Sequence, residues 1–307
     1  MNDHGADLRT ALGTYRLETP LVAACGTVGS VVDFAGVGDL GAYGAAVAKS
    51  VSGTPWEGRR QPRLAPAGEG MLNGIGIQNP GVDRWVSEVG PHLDAIPTDV
   101  WGSAVGKDAA EFGLVAAKLE TSGVSAIEVN LSCPNLESGK MFALDADDSA
   151  AVVAAVKANT RLPIGAKLTP NSEDVVRIAE AVTDAGAAWV VLGNTVWGAG
   201  FDINTRRPLL SGVVGGYSGA PIKPIALRCV WEVSQAAPHI PIIGTGGVSS
   251  GDDVVEFLLA GASAVGVGTA HFARPRVGRR IVNQLTKYMR KHGIEKVTDL
   301  IGAVQPW

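Results

Sequence analysis

Short apolar runs recur along the chain, each closing on a polar or glycine-rich step. Three stretches, 121–130, 184–193 and 259–268, share one pattern: a helix end, a glycine, a small residue and a buried strand. Gly123, Gly186 and Gly261 fit the left-handed position after a helix. In each copy the strand ends seven residues later, at Asn130, Gly193 and Gly268. The copies lie 63 and 75 residues apart, which leaves room for one more strand in each gap. Apolar runs near a proline fill those gaps at 162–167 and 240–244, and three more lie upstream at 21–24, 45–48 and 100–105. Continuous apolar strands suit a parallel sheet covered on both faces. Eight of them, alternating with helices, predict an α/β fold: one (β/α)8 TIM barrel, a single domain over 1–307.

The helical segments carry one apolar face each: Val175, Ile178, Ala179 and Val182 in one, Val254, Val255, Leu258 and Leu259 in another. Ser249 or Ser250 can cap the latter, with Asp252 and Asp253 favourable in its first turn. Residues 7–10 and 14–17 flank Gly13 as an N-terminal β-hairpin that could close the barrel bottom. Two long βα loops, 50–80 and 195–221, belong at the C-terminal face. Loops of that length are functional or disordered, and their aromatic and apolar content favours function.

Composition narrows the classes. The chain has 307 residues, 46% of them hydrophobic, and a net charge of −4 with both signs interspersed. This speaks against nucleic acid as a partner. The basic cluster at 274–280 is either a phosphate site or a solvated face. Three cysteines form no disulfide framework or Cys-x-x-Cys motif, and five histidines show no ligand spacing, so no metal is expected. The N-terminus lacks an apolar signal region, and no run reaches the roughly 18 apolar residues of a membrane helix. The expectation is a soluble, cytoplasmic protein.

Chemistry-bearing residues collect at the predicted strand ends: Lys49, Asn130, Lys167, Asn194 and Thr195. Lysines that end apolar strands point to anionic ligands, because an unpartnered buried cation is costly. Strands seven and eight end in Gly244-Thr-Gly246-Gly247 and Gly266-Val-Gly268-Thr269, whose backbone N–H groups suit a phosphate. Beyond Asn130 lies Leu131-Ser132-Cys133-Pro134-Asn135. It sets a thiol between two carboxamides where a strand gives way to a loop. That thiol can serve as nucleophile or base, and the amides offer donors and acceptors to a planar polar substrate. Cys229 lies in a helical stretch and reads as core, whereas Cys25 follows strand one and could touch cofactor backbone.

With these motifs assembled, nearly the whole chain resembles the class 1 dihydroorotate dehydrogenases. The most specific matches are Asn130-Leu-Ser-Cys-Pro-Asn135 and Gly70-Met-Leu-Asn-Gly-Ile-Gly-Ile-Gln-Asn-Pro-Gly81. Lys167-Leu-Thr-Pro-Asn171, Gly193-Asn-Thr195, Gly215-Gly-Tyr-Ser-Gly219 and Val267-Gly-Thr269 support them. The resemblance implies FMN and oxidation of dihydroorotate to orotate in pyrimidine synthesis. Cys133 would remove the C5 proton while hydride leaves C6 for flavin N5. Lys49, Asn73, Gly74, Ile75, Gly76, Ile77, Asn130, Asn135, Asn194 and Thr195 would hold the substrate. Cys25, Lys49, Ser50, Ser103, Asn130, Lys167, Gly193, Gly219, Gly246, Gly247, Gly268 and Thr269 would meet FMN. A cation such as Lys167 beside the pyrimidine end of the flavin favours the anionic reduced ring.

The stretch 138–145 looks closer to the subclass that works with an electron-transfer subunit carrying FAD and an iron–sulfur cluster and passing electrons to NAD. The implied assembly is a homodimer or heterotetramer, and a fumarate-reducing homodimer is the alternative within class 1. Ser103 stands where the family usually has asparagine, and Cys25 where it usually has serine. Two other readings compete. One is a dihydropyrimidine dehydrogenase-like subunit acting on uracil, against which Asn135 speaks. The other is a flavin- or phosphate-binding barrel without catalysis.

Overall fold

The computed structural model describes residues 6–132, 141–305 and 307. Eight parallel strands close a barrel in chain order. They are strand one (Leu21–Ala23), two (Ala45–Val47), three (Asp99–Ala104), four (Ala126–Asn130), five (Ile164–Lys167), six (Trp189–Leu192), seven (Ile242–Thr245) and eight (Ala264–Val267). The predicted ends at Asn130 and Lys167 are met, and the other six fall within one residue. Strands five and seven begin two residues later than expected. Pro163 and Pro241 precede them, and proline has no N–H to give a ladder; their carbonyls accept from Ile127 N at 2.9 Å and Val190 N at 3.0 Å. Gly123, Gly186 and Gly261 all have positive φ, as the repeated pattern required.

Helices α1 (Val32–Ala35), α2 (Val82–Val89), α3 (Ala109–Glu120), α4 (Ala146–Asn159), α5 (Val175–Asp184), α6 (Lys223–Ala236), α7 (Gly251–Leu259), α8 (Ala270–Ala273) and α9 (Val277–His292) accompany the barrel. The expected faces are buried: Val175, Ile178, Ala179 and Val182 in α5, and Val254, Val255 and Leu258 in α7, with Leu259 partly covered. Ser250 caps α7 in a reciprocal pair with Asp253. Cys229 is core, in α6, where burial raises its pKa.

Alternation divides each strand between two cores. Outward residues such as Val100, Ile127 and Val129 join the helices in the main cluster. Inward residues Val22, Ala45, Val47, Trp101, Ala126, Trp189, Val191, Ile243 and Ala264 fill the barrel with Leu12 and Leu17. The latter two come from the predicted hairpin, Thr10–Leu12 against Tyr15–Leu17. Tyr15 meets Trp101 edge-on at 5.5 Å, and Trp101 lies 4.9 Å from Trp189. The hairpin is therefore an aromatic plug for the barrel floor. Gly165 has to be glycine, since a Cβ there would sit 2.2 Å from Trp189 Nε1.

The two long excursions are more ordered than loops. Leu64–Ala67 and Gly70–Asn73 come from the first, Val196–Ala199 and Val214–Gly219 from the second. Together they form one antiparallel sheet around a small core of Ala65, Leu72 and Leu210. Each excursion supplies one antiparallel pair of its own to this sheet, and the two pairs join where Val214–Gly219 meets Gly70–Asn73, more than a hundred residues apart. Register sets Asn73 opposite Gly216.

Candidate active site at the barrel mouth

The inward positions change character toward the carboxyl ends. On strand three Trp101 is followed by Ser103; on strand four Ala126 is followed by Glu128 and Asn130; on strand five Gly165 is followed by Lys167. All four polar residues are buried. Ser50, just past strand two, links two of them, Ser103 and Asn130. Its hydroxyl lies 2.9 Å from Ser103 Oγ and 3.3 Å from Cys25 Sγ, and accepts from Asn130 Nδ2 at 2.9 Å. Both positions that depart from the family pattern, Cys25 and Ser103, thus touch the same hydroxyl.

A second chain runs across the mouth. Ser132 Oγ donates to Asn130 Oδ1 at 3.1 Å, and Asn194 Nδ2 donates to Ser132 Oγ at 2.5 Å. Asn194 Oδ1 accepts from Thr195 N at 2.7 Å. Asn73 Nδ2 donates to Gly216 O at 3.1 Å. A Cβ on Gly216 would fall 2.0 Å from Thr195 Oγ1, so Asn73 and Thr195 converge on one bare stretch of backbone. Cys133 and Asn135 lie outside the described residues. Asn130 and Ser132, which precede them in the sequence, belong to this network.

The segment 74–77 is held from two sides. Ile75 O accepts from Arg59 N at 3.0 Å, and Gly74 N donates to Arg63 O at 2.7 Å. Ile77 has φ 59, an uncommon conformation for a β-branched residue, and costs strain that its surroundings must over-determine. Asn79 supplies that restraint. Its Nδ2 donates to Ile77 O and Ser52 Oγ, both at 2.8 Å, and its Oδ1 accepts from Ser52 N at 3.1 Å and Gly81 N at 2.9 Å. Glu111 pins the other end of this excursion by accepting from Gly53 N and Lys107 N, each at 2.9 Å. Asn79 lies inside the motif at 70–81, whereas Glu111 carries no motif in the sequence.

Strands seven and eight pair side by side, Thr245 opposite Gly266, so their glycine-rich ends are neighbours. Gly246 and Gly247 have φ 142 and 76, and a Cβ on either would come within 2.8 Å of Ala226 or Lys223. Gly219 also has positive φ, at 104. Lys49 is half-buried, with its N–H donating to Gly29 O at 2.8 Å, and Gly193 closes strand six with Thr245 O beside it. Gly268 and Thr269 lead into α8, where His271 is buried. Thr27 Oγ1 donates to Ala24 O at 2.8 Å, so His271 Nδ1–H donates to Thr27 Oγ1 at 2.9 Å. Nε2 then accepts from Tyr43 Oη at 2.7 Å, and burial lowers the imidazole pKa to about 4. This neutral histidine ties the strand-eight loop to the strand-one loop.

The expectation that Lys167 marks an anionic ligand is corrected by Glu128, which interrupts the apolar run of strand four. Its carboxylate lies 3.5 Å from Lys167 Nζ, with both side chains buried. Lys167 therefore has an internal counter-ion and does not by itself demand an anionic ligand. The basic cluster at 274–280 is exposed at its arginines, with Arg279 on Asp39 and Arg276 on Val37 O, as a solvated face would be.

The family model for dihydroorotate dehydrogenase matches residues 7–289. A curated relative from Citrifermentans bemidjiense, "Dihydroorotate dehydrogenase B (NAD(+)), catalytic subunit", is 43% identical over 97% of this chain and 98% of its own. A relative of the same name from Desulforamulus reducens is 41% identical over the same shares. Among solved structures, dihydroorotate dehydrogenase from Eimeria tenella in complex with ferulenol superposes with a TM-score of 0.82. It covers 99% of this chain and 90% of its own at 19% identity, a likeness of fold. The chain belongs to the dihydroorotate dehydrogenase family.

Proposed function

We propose that this chain oxidises (S)-dihydroorotate to orotate in pyrimidine synthesis, with Cys133 as the base at C5 and FMN as the hydride acceptor. As a family member it is an oxidoreductase, and neither uracil chemistry nor a non-catalytic role is favoured. The observation that carries the site assignment is the converging amide set: Asn130, Asn194 and Thr195 are linked through Ser132 by hydrogen bonds, and Asn73 bonds the Gly216 backbone that Thr195 borders. Their donors and acceptors suit a flat ring with two carbonyls and a carboxylate, and Lys49 supplies positive charge for the carboxylate. Asn135 would join them.

The residues also fit FMN. Gly246 and Gly247, with Gly268 and Thr269 beside them, form a side-chain-free turn suited to a phosphate. Lys167, Ser50, Ser103, Cys25, Gly193 and Gly219 supply the further polar and close backbone contacts. Bound FMN would supply a two-electron acceptor beside the substrate. The protein's own work is to hold the ring, exclude water and take the proton. A thiol with pKa near 8.5 or somewhat lower suits a carbon acid once the substrate is desolvated.

The electrons would leave through a partner subunit carrying FAD and an iron–sulfur cluster toward NAD, in a cytoplasmic assembly built on a homodimer of this chain or a heterotetramer with that partner. The relatives are named as catalytic subunits of an NAD-linked enzyme, which supports a partner. Among the described residues no helix is long and apolar enough to cross a membrane.

The test feeds dihydroorotate and dihydrouracil separately to purified protein and follows loss of the yellow flavin absorbance. Bleaching by dihydroorotate alone is expected, quickening as a single group deprotonates. Equal bleaching by dihydrouracil, or a flat profile across pH 6 to 9, refutes the assignment.

A further inference from the structure

We infer that Glu128 is a positioning residue that holds Lys167 at the barrel mouth and moderates the positive field this lysine presents to a reduced flavin. The inference rests on the FMN reading above and goes beyond it, since Glu128 belongs to none of the proposed contacts.

The geometry is unusual for a strand. Ala126, Glu128 and Asn130 all face the barrel interior, as do Ser103 and Lys167 on the neighbouring strands, Ser103 in register with Glu128 and Lys167 with Asn130. Glu128 pairs in register with Ser103 on one side and Gly165 on the other, which leaves room for its side chain toward Lys167. The Glu128 side chain is 3% exposed and that of Lys167 7%. Below them lies the aromatic floor of Trp101 and Trp189, so water has no route from that side. A carboxylate in such a place is costly unless it serves a charge.

The contact is loose. At 3.5 Å the Nζ–Oε1 distance exceeds a charge-assisted hydrogen bond, and Glu128 Oε1 is left without a hydrogen-bond partner. The carboxylate therefore acts on Lys167 chiefly through charge. Burial raises the Glu128 pKa while Lys167 opposes that rise, as expected of a pair in low dielectric.

A lone buried cation would strongly favour the anionic reduced flavin, because its field is poorly screened in the barrel. A cation with an anion at its side presents a weaker, shorter-ranged field. The reduced ring is then stabilised less, and its electrons leave more readily for a low-potential acceptor of the nicotinamide kind. Glu128 also restrains the lysine's long side chain, whose rotamer freedom would otherwise blur its position.

The test is the reduction potential of bound FMN, titrated against reference dyes in the native protein and in Glu128→Gln, which keeps the volume and removes the charge. The expected result is a more positive potential in the variant, at least about tenfold in the oxidised–reduced equilibrium, about 30 mV for a two-electron couple. Glu128→Asp, whose carboxylate is withdrawn by one methylene, should shift the same way by less, and it serves if the glutamine variant folds poorly. Flavin-bound variants with unchanged or more negative potentials overturn the inference and leave the FMN reading standing. Native protein that takes up no FMN refutes that reading, and the inference with it.

Discussion

The two ends of this barrel are built from the same strands to opposite rules. At the floor, Tyr15, Trp101 and Trp189 pack edge-on and tilted against one another, and Leu12, Leu17 and Ala126 fill the gaps. Two residues beyond Trp101 and Ala126 come Ser103 and Glu128, then Asn130 one layer higher, with Lys167 in register beside it on the next strand. The floor is held by area and shape, which lose value steeply when an atom is removed. The mouth is held by shared hydrogen bonds through Ser50 and Ser132, each modest in stability and demanding in geometry. Strand alternation permits this split because each inward residue sits a full layer above the last.

Substitutions at the two ends should therefore separate stability from chemistry. The largest effect is expected at the floor. Trp101→Ala removes a fully buried indole and should cost about 3–5 kcal/mol in denaturant unfolding, while folded variant that retains flavin is still bleached at near-native rate. If bleaching falls as far as in a mouth variant, the division between the ends is wrong.

Acid tests the polar end. His271 is held neutral with its pKa lowered to about 4, so the unfolded chain takes up its proton first as pH falls. The contribution is fully present above the ordinary value of about 6.5 and is lost as pH drops toward 4, by up to ~3 kcal/mol. Unfolding midpoints between pH 7 and 4 should show it, and His271→Gln should flatten the slope. An unchanged slope in that variant means another group carries the acid sensitivity.

Cys133→Ala comes next. Loss of a general base should slow flavin bleaching by dihydroorotate at least about a hundredfold with flavin retained and little change in unfolding midpoint. Turnover close to native would remove the thiol from the mechanism. The smallest effect is expected for Ser50→Ala, about 1 kcal/mol of stability for the lost hydroxyl contacts. It should also weaken substrate affinity, because Asn130 loses the acceptor that fixes its amide. Native affinity in that variant would show that Asn130 needs no such support.

Much of this was legible in the order of residues. The repeated glycine before three of the strands, the apolar runs and the proline-marked starts name a closed parallel barrel, because backbone φ and strand period are local properties. The motifs at 70–81 and 130–135 name the family and the mouth. Asn79 and Glu111 escaped notice because their roles lie in whom they bond: Asn79 spans from Ile77 to Ser52, and Glu111 reaches back 58 residues to Gly53.

What the chain determines by itself is the alternation: which residues are apolar, where strands end, and which side chains carry chemistry. Tertiary structure alone decided the pairings. It joined two long excursions into one sheet, put Cys25 and Ser103 on a single hydroxyl, and set Glu128 against Lys167 across neighbouring strands. The physical reason is that barrel closure sets which strands are neighbours and at what stagger, and a charge or a hydroxyl acquires its role from what closure brings within a few ångströms of it.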